Sequence, residues 1–154
     1  MSNIEPTINP MSVPGFVLWQ VSKLWQRALT NALKPFNIGS TEFVVLGNAV
    51  RASQLGQDAT PAMLTDAVKI DRMTASQTLR SLEKKGLIER AEISEDKRTF
   101  HVVSTKAGTK LADDALGEVI RAHMVFFAPL GADAEQFLKS MQALIEGSKN
   151  EEPA

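Results

Sequence analysis

The chain contains no cysteine among its 154 residues. This excludes disulfides, thiol catalysis and a cysteine-based redox switch together, and it fits a cytoplasmic protein. Histidine is scarce, with only His101 and His123. A metal site would therefore need carboxylates gathered from elsewhere, and no metal or other cofactor is expected. No apolar run approaches the ~18 residues that a membrane span needs. The start of the chain, Met1-Ser2-Asn3-Ile4-Glu5-Pro6, lacks the basic residues and apolar core of a signal peptide. No membrane partner is expected. Nor is there a nucleophile–base pair, a phosphate loop or a metal-spaced cluster, so the sequence argues against an enzyme.

Net charge is also small, −1 at neutral pH. Its distribution says more than its sum. Residues 1–68 hold four basic and four acidic side chains, residues 69–98 eight and six, and residues 99–154 five and eight. The positive excess lies in the middle of the chain. Hydrophobic content of 44% and charged content of 23% suit a globular chain of one compact domain.

The periodicity predicts a mainly helical protein with one small β-hairpin. Residues 1–12 are polar, carry Pro6 and Pro10, and read as a flexible arm. A helix is expected from Pro14 to about Leu33, with Pro14 in its first turn. Its two apolar sets, Val17, Val21, Leu24, Ala28 and Leu18, Trp25, Leu29, Leu33, imply burial on two sides. Ser40 or Thr41 should cap a second helix with Phe43, Leu46, Val50 and Val44 inside. Thr60-Pro61 should open a short third helix with Met63, Leu64 and Ala67 as its apolar side.

Asp71 should cap a fourth helix, Arg72 to Lys85, with Ala75, Leu79 and Leu82 as its core stripe. Thr74, Gln77, Arg80, Ser81 and Lys84 face other ways. Gly86 should end it after two lysines. Leu87 to Ile93 and Thr99 to Val103 read as strands around the polar turn Ser94-Glu95-Asp96-Lys97. A long helix from Thr105 to about Phe127 carries Leu111, Ala115, Val119, Ala122 and Phe126, widened by Leu116, Ile120 and Phe127. Pro129 and Gly131 break the chain. Asp133 opens a last helix with Phe137, Met141, Leu144 and Ile145 on one side, and residues 148–154 read as a flexible tail.

The fourth helix is unusually rich in small hydrogen-bonding residues. A helix about 12 Å across fits the major groove of B-DNA. Gln pairs with adenine and Arg with guanine in bidentate fashion, while Ser and Thr serve bases or phosphates. Arg72, Thr74, Ser76, Gln77, Arg80 and Lys84 are thus candidate DNA contacts, with Arg72 and Thr74 placed for phosphates.

Four stretches, in order, resemble the MarR family of winged helix-turn-helix transcription regulators. Asn37-Ile38-Gly39-Ser40-Thr41-Glu42-Phe43-Val44-Val45-Leu46 is similar to the family's entry to its second helix. Arg72 to Arg90, ending Leu82-Glu83-Lys84-Lys85-Gly86-Leu87-Ile88-Glu89-Arg90, resembles its recognition helix and first wing strand. Asp96-Lys97-Arg98 matches its Asp-x-Arg wing motif. Ser104-Thr105-Lys106-Ala107-Gly108 resembles the exit from the wing.

The resemblance spans about residues 13–147. It implies a winged helix-turn-helix over 38–104, flanked by N- and C-terminal dimerisation helices over 13–36 and 105–147. It implies that Arg98 reaches a minor groove and that Asp96 holds the wing in shape. Lys97, a cation beside them at the hairpin tip, is a candidate phosphate contact. Double-stranded DNA and a second copy of the chain are the implied partners. A dimer would read two half-sites of a pseudo-palindromic operator, and Val17, Leu18, Val21, Val119, Ile120, Phe126, Phe127, Phe137, Met141 and Leu144 are its candidate interface. Many such regulators bind small aromatic or phenolic anions, for which Trp19, Trp25, Phe36, Phe43 and His123 are candidate pocket residues. The function implied is that of a homodimeric repressor released by a small ligand. The alternative is a winged-helix protein–protein interaction module that does not bind DNA.

Overall fold

The computed structural model describes residues 7–92 and 100–150. Six helices and a hairpin follow in the expected order: α1 (Pro14–Leu33), α2 (Ser40–Gln54), α3 (Pro61–Val68), α4 (Arg72–Lys84), β1 (Ile88–Glu92), β2 (Phe100–Ser104), α5 (Lys106–Phe127) and α6 (Ala134–Lys149). The strands pair antiparallel, with Ile88 opposite Ser104 and Arg90 opposite Val102. Part of the expected N-terminal arm is instead a short 3-10 turn, Pro10–Ser12, because the Asn9 side chain accepts the Met11 N–H at 3.0 Å.

Helix α2 is the hub: α1, α3, α4, α5 and β2 all pack against it. Surrounded in this way, it buries Val45, Leu46, Ala49 and Val50, and its inner face is wider than one stripe. Val45 is therefore inside, while Val44 faces out. Leu33, Leu46 and Leu82, from three different helices, are completely buried at the centre. On α3 the inward residue is Leu64, with Val68 one turn on; Met63 and Ala67, expected inside, face solvent because this eight-residue helix touches the rest along one line. On α5 the buried positions are Gly108, Ala112 and Ala115, small residues that allow close approach, and Leu116 is exposed.

Helix ends follow local chemistry. Thr60 Oγ1 accepts the Met63 N–H at 3.2 Å, and Asp71 Oδ1 accepts the Thr74 N–H at 2.8 Å. The cap of α2 differs from expectation. Gly39 occupies the N-cap position, and Glu42 Oε2, three residues on, accepts its N–H at 2.8 Å, so neither Ser40 nor Thr41 caps. At the end of α4, Gly86 takes a positive φ of 73°. Its N–H donates to Glu83 O and that of Leu87 to Leu82 O, at 2.9 and 3.0 Å. This double closure is a Schellman motif, and it turns the chain directly into the wing.

The hairpin is anchored at its base. Val102 N–H donates to Ala59 O at 2.7 Å, and His101 Nδ1 lies 3.3 Å from Asp58 Oδ1. Thr105 joins hairpin, α4 and α5: its hydroxyl donates to Gly86 O at 2.7 Å and accepts the Gly108 N–H at 3.0 Å.

Helix α6 is different. It touches the rest chiefly through the 3-10 turn Ala128–Asp133, and among the described residues it buries no side chain. Asp133 precedes it without a side-chain cap. The stretch Lys106–Lys149, kinked at Gly131 (φ 51°, ψ −125°), contains an 18-residue window of mean hydropathy 1.2 of which 6% is buried. By length and composition alone it could cross a membrane. Glu118 and Arg121 interrupt its apolar run while leaving the average hydropathy high.

Candidate nucleic-acid interface

Helices α3 and α4 meet at a tight turn. Lys69 sits in the left-handed region at φ 57° and closes α3. Asp71 then starts α4. Its carboxylate is held below the usual range by the hydrogen bonds of Thr74, from the hydroxyl at 2.7 Å and from the backbone N–H at 2.8 Å. An ionised carboxylate there also favours the positive end of the helix.

The inner side of α4 holds Ala75, Leu79 and Leu82 as expected, and adds Thr78, whose buried hydroxyl donates to Thr74 O at 2.7 Å. The outer side presents Arg72, Met73, Ser76, Gln77, Arg80 and Lys84 to solvent. Two of these are coupled. Arg80 donates to the Ser76 hydroxyl (Nη2, 3.1 Å) and to Ser76 O (Nε, 3.3 Å). Ser76 thus orients a guanidinium over the exposed face, and the fork of the guanidinium is the geometry that suits guanine or phosphate. Thr74 differs from the others: it is half-buried, and its hydroxyl hydrogen goes to Asp71.

Ser81 lies off the core stripe, as expected, and on the side of α4 that meets α2. Its hydroxyl donates to Glu42 Oε1 at 2.5 Å. Lys85 Nζ donates to Glu42 Oε2 at 2.9 Å and to Asn37 O at 3.0 Å. Glu42 therefore fastens the C-terminal end of α4 to the start of α2. Burial opposes its charge, but the bonds from Gly39, Ser81 and Lys85 outweigh that and hold the carboxyl below its ordinary value of 4.5. A depressed carboxyl stabilises the fold above its unfolded-state pKa and ceases to do so as pH falls through its folded one. Glu42→Gln is thus expected to cost about 1–3 kcal/mol at pH 7. In thermal melts the gap to the parent protein should shrink as pH drops below 4.5. A gap constant down to pH 3 would show that the carboxylate's charge is not what matters.

Sequence reading missed Arg90. It lies on β1 with its guanidinium 4.4 Å above the Phe100 ring, and its Nε is 2.9 Å from Glu83 Oε2. In the hairpin register Arg90 faces Val102, and Phe100 lies diagonal to it two residues along β2. Arg90, Arg72 and Lys69 line a cleft of about 940 Å³ between α3, α4 and the hairpin, together with Thr60, Thr65 and Ser76. Lys69 is held at 2.6 Å by Asp66. Cationic and hydroxyl groups along one cleft beside the exposed face of α4 suit a path for a phosphate backbone. The wing tip with Asp96, Lys97 and Arg98 lies outside the described residues.

Of the candidate pocket residues, the structure brings Trp25 and His123 together. Trp25 packs against His123 (5.9 Å between ring centres), Phe126 (5.4 Å) and Phe127 (5.5 Å), and Phe127 reaches Phe137. Trp19 is not there: six residues before Trp25 it points from another side of α1, 67% exposed, with Lys23 Nζ 5.0 Å from its ring centre. Phe36 and Phe43 pack on the core around α2.

Of the candidate dimer residues, Val17, Val21, Val119, Phe126, Phe127, Phe137 and Met141 are half-buried, and Leu18, Ile120 and Leu144 are exposed. Phe16, Leu24, Met124, Val125 and Leu138 add to the bare apolar surface on α1, α5 and α6. Among the described residues no group of three or more potential metal ligands comes together.

A short helix, a tight turn and an exposed polar helix, followed by an anchored hairpin, define a winged helix-turn-helix protein. The model of the MarR family matches residues 40–100. The uncharacterized HTH-type transcriptional regulator YdcH of Bacillus subtilis (strain 168) is 34% identical over 137 residues, which cover 89% of this chain and 92% of that protein. The chain belongs to the MarR family, and it is a DNA-binding transcription regulator. Two solved structures share the fold. CouR from Rhodococcus jostii RHA1, bound to p-coumaroyl-CoA, superposes with a TM-score of 0.76 at 20% identity, covering 96% of this chain and 99% of that one. A mutant MarR from E. coli complexed with operator DNA gives 0.75 at 23% identity, covering 90% and 98%.

Proposed function

We propose that the protein acts in the cytoplasm as a homodimeric repressor that binds a pseudo-palindromic operator and is released by a small aromatic or phenolic anion. Residues 13–147 work as one unit, in which 38–104 read DNA and 13–36 and 105–147 hold two copies together. The observation that carries this reading is the outer face of α4, where Ser76 aims Arg80 beside exposed Gln77. That E. coli MarR was solved with operator DNA supports the operator. The p-coumaroyl-CoA in CouR supports an aromatic acyl or phenolic effector. A cleft of about 380 Å³ between α1 and α5, lined by Ala28, Ala32, Ala122, Phe126 and Arg121, adjoins the Trp25 cluster and offers it a seat.

Arg98 is assigned to the minor groove, whose negative potential favours an inserted guanidinium, with Asp96 and Lys97 supporting and flanking it. Release follows if the effector prefers a dimer whose two α4 helices are spaced wrongly for the operator. Selection from random duplexes should enrich an inverted repeat whose affinity falls steeply with salt. On the selected site, Gln77→Ala should cost about 1–3 kcal/mol and relax one base preference. Arg98→Ala should weaken binding with the dimer intact. Failure to enrich any sequence would sink the reading.

A further inference from the structure

At 100° per residue, α4 places Met73, Arg80 and Lys84 within about 20° of the line opposite buried Leu82, with Gln77 and Ser76 to either side. Met73 is therefore the centre of the face turned away from the core, and it is 72% exposed. It is the one apolar side chain among Arg72, Ser76, Gln77, Arg80 and Lys84. Among the described residues, no packing contact calls for a large thioether there. The second residue of a recognition helix is where base edges are met. In the major groove the only apolar group that bases present is the thymine 5-methyl.

We propose that Met73 determines specificity by packing on a thymine 5-methyl group in each half-site. The proposal rests on α4 being the reading helix. Gln77 lies one turn further along, about 6 Å by helical rise, so at about 3.4 Å per base pair this thymine falls within about two base pairs of the base that Gln77 contacts. Methionine suits the task because its flexible, polarisable chain adapts to an apolar contact of imperfect shape.

Replacing thymine by deoxyuridine removes that methyl and nothing else. On the duplex selected by the full-length protein, each thymine of the half-sites is exchanged in turn, in both half-sites together. Burial of one methyl is worth about fourfold, so one symmetric pair of exchanges should weaken binding by about fifteenfold. Met73→Ala should bind the thymine operator that much less tightly and respond less than twofold to the same exchange. Met73→Leu should restore the response. The side chain is exposed, so neither variant disturbs the fold, and unchanged thermal melts verify this. The proposal is overturned if the selected half-sites hold no thymine, if no exchange matters by more than twofold, or if Met73→Ala keeps the full response. A protein that enriches no sequence at all overturns the reading-helix assignment instead.

Discussion

Replacing Gly108 by alanine is expected to destabilise the protein by about 3–5 kcal/mol, as read from the urea midpoint. A Cβ at this position would lie 2.0 Å from Leu87 O and 2.9 Å from Leu87 C, with Leu46 Cδ1 at 3.2 Å. The nearest atoms belong to backbone, and that backbone is fixed from both sides. Leu87 is the closing residue of the α4 terminus, and its carbonyl also accepts the Thr105 N–H at 3.1 Å. The Thr105 hydroxyl holds Gly86 and Gly108 at the same junction. Room for a methyl group comes only by lifting α5 off the hairpin, which breaks these bonds and opens the core at Leu46. Gly117, further along α5, has open space around it. Gly117→Ala should stabilise the helix by about 0.5–1 kcal/mol, as alanine does in a helix interior. Equal midpoints for the two variants would refute the close approach.

Gly108 also shows where sequence reading stops. Its place at the exit from the wing was legible through the motif Ser104 to Gly108, but the reason for glycine was not, because Leu87 enters from 21 positions away. The same division runs through the molecule. The ends of α1 and α4 were legible because Pro14, Asp71 and Gly86 act on their own neighbours. The α2 cap was misassigned because a hydroxyl at the right place looked sufficient, whereas Glu42 does the work and also reaches Ser81 and Lys85. Ser81 belongs to this structural clamp, a role that a residue 39 positions away assigns to it. Trp19 and Trp25 share a residue type, but a six-residue offset in helical phase puts them on different sides of α1.

Leu144→Glu is expected to turn the protein into a monomer and to lower affinity for the full operator by about a hundredfold or more. Leu144 is 66% exposed, and Leu138 and Ile145 on the same helix are each 50% exposed, so the charge costs the single chain nothing in packing. Phe137, Met141 and Leu144 recur at helical spacing on one side of a helix that gains almost no cover from its own chain. An apolar surface of this kind, continued on α1 and α5, calls for a partner. If that partner is a second copy, a carboxylate at position 144 must be buried without a counter-charge when the copies meet, and association fails. Two linked reading helices gain about 10²–10⁴ in avidity over one. The variant should therefore bind a half-site as the parent does and lose only the gain from joining two. Sedimentation gives the assembly state, far-ultraviolet dichroism checks that the helices remain, and anisotropy with full and half operators separates the two affinities. A variant that stays dimeric would move the interface away from α6. One that becomes monomeric yet keeps full-operator affinity would show that the second α4 adds nothing to recognition.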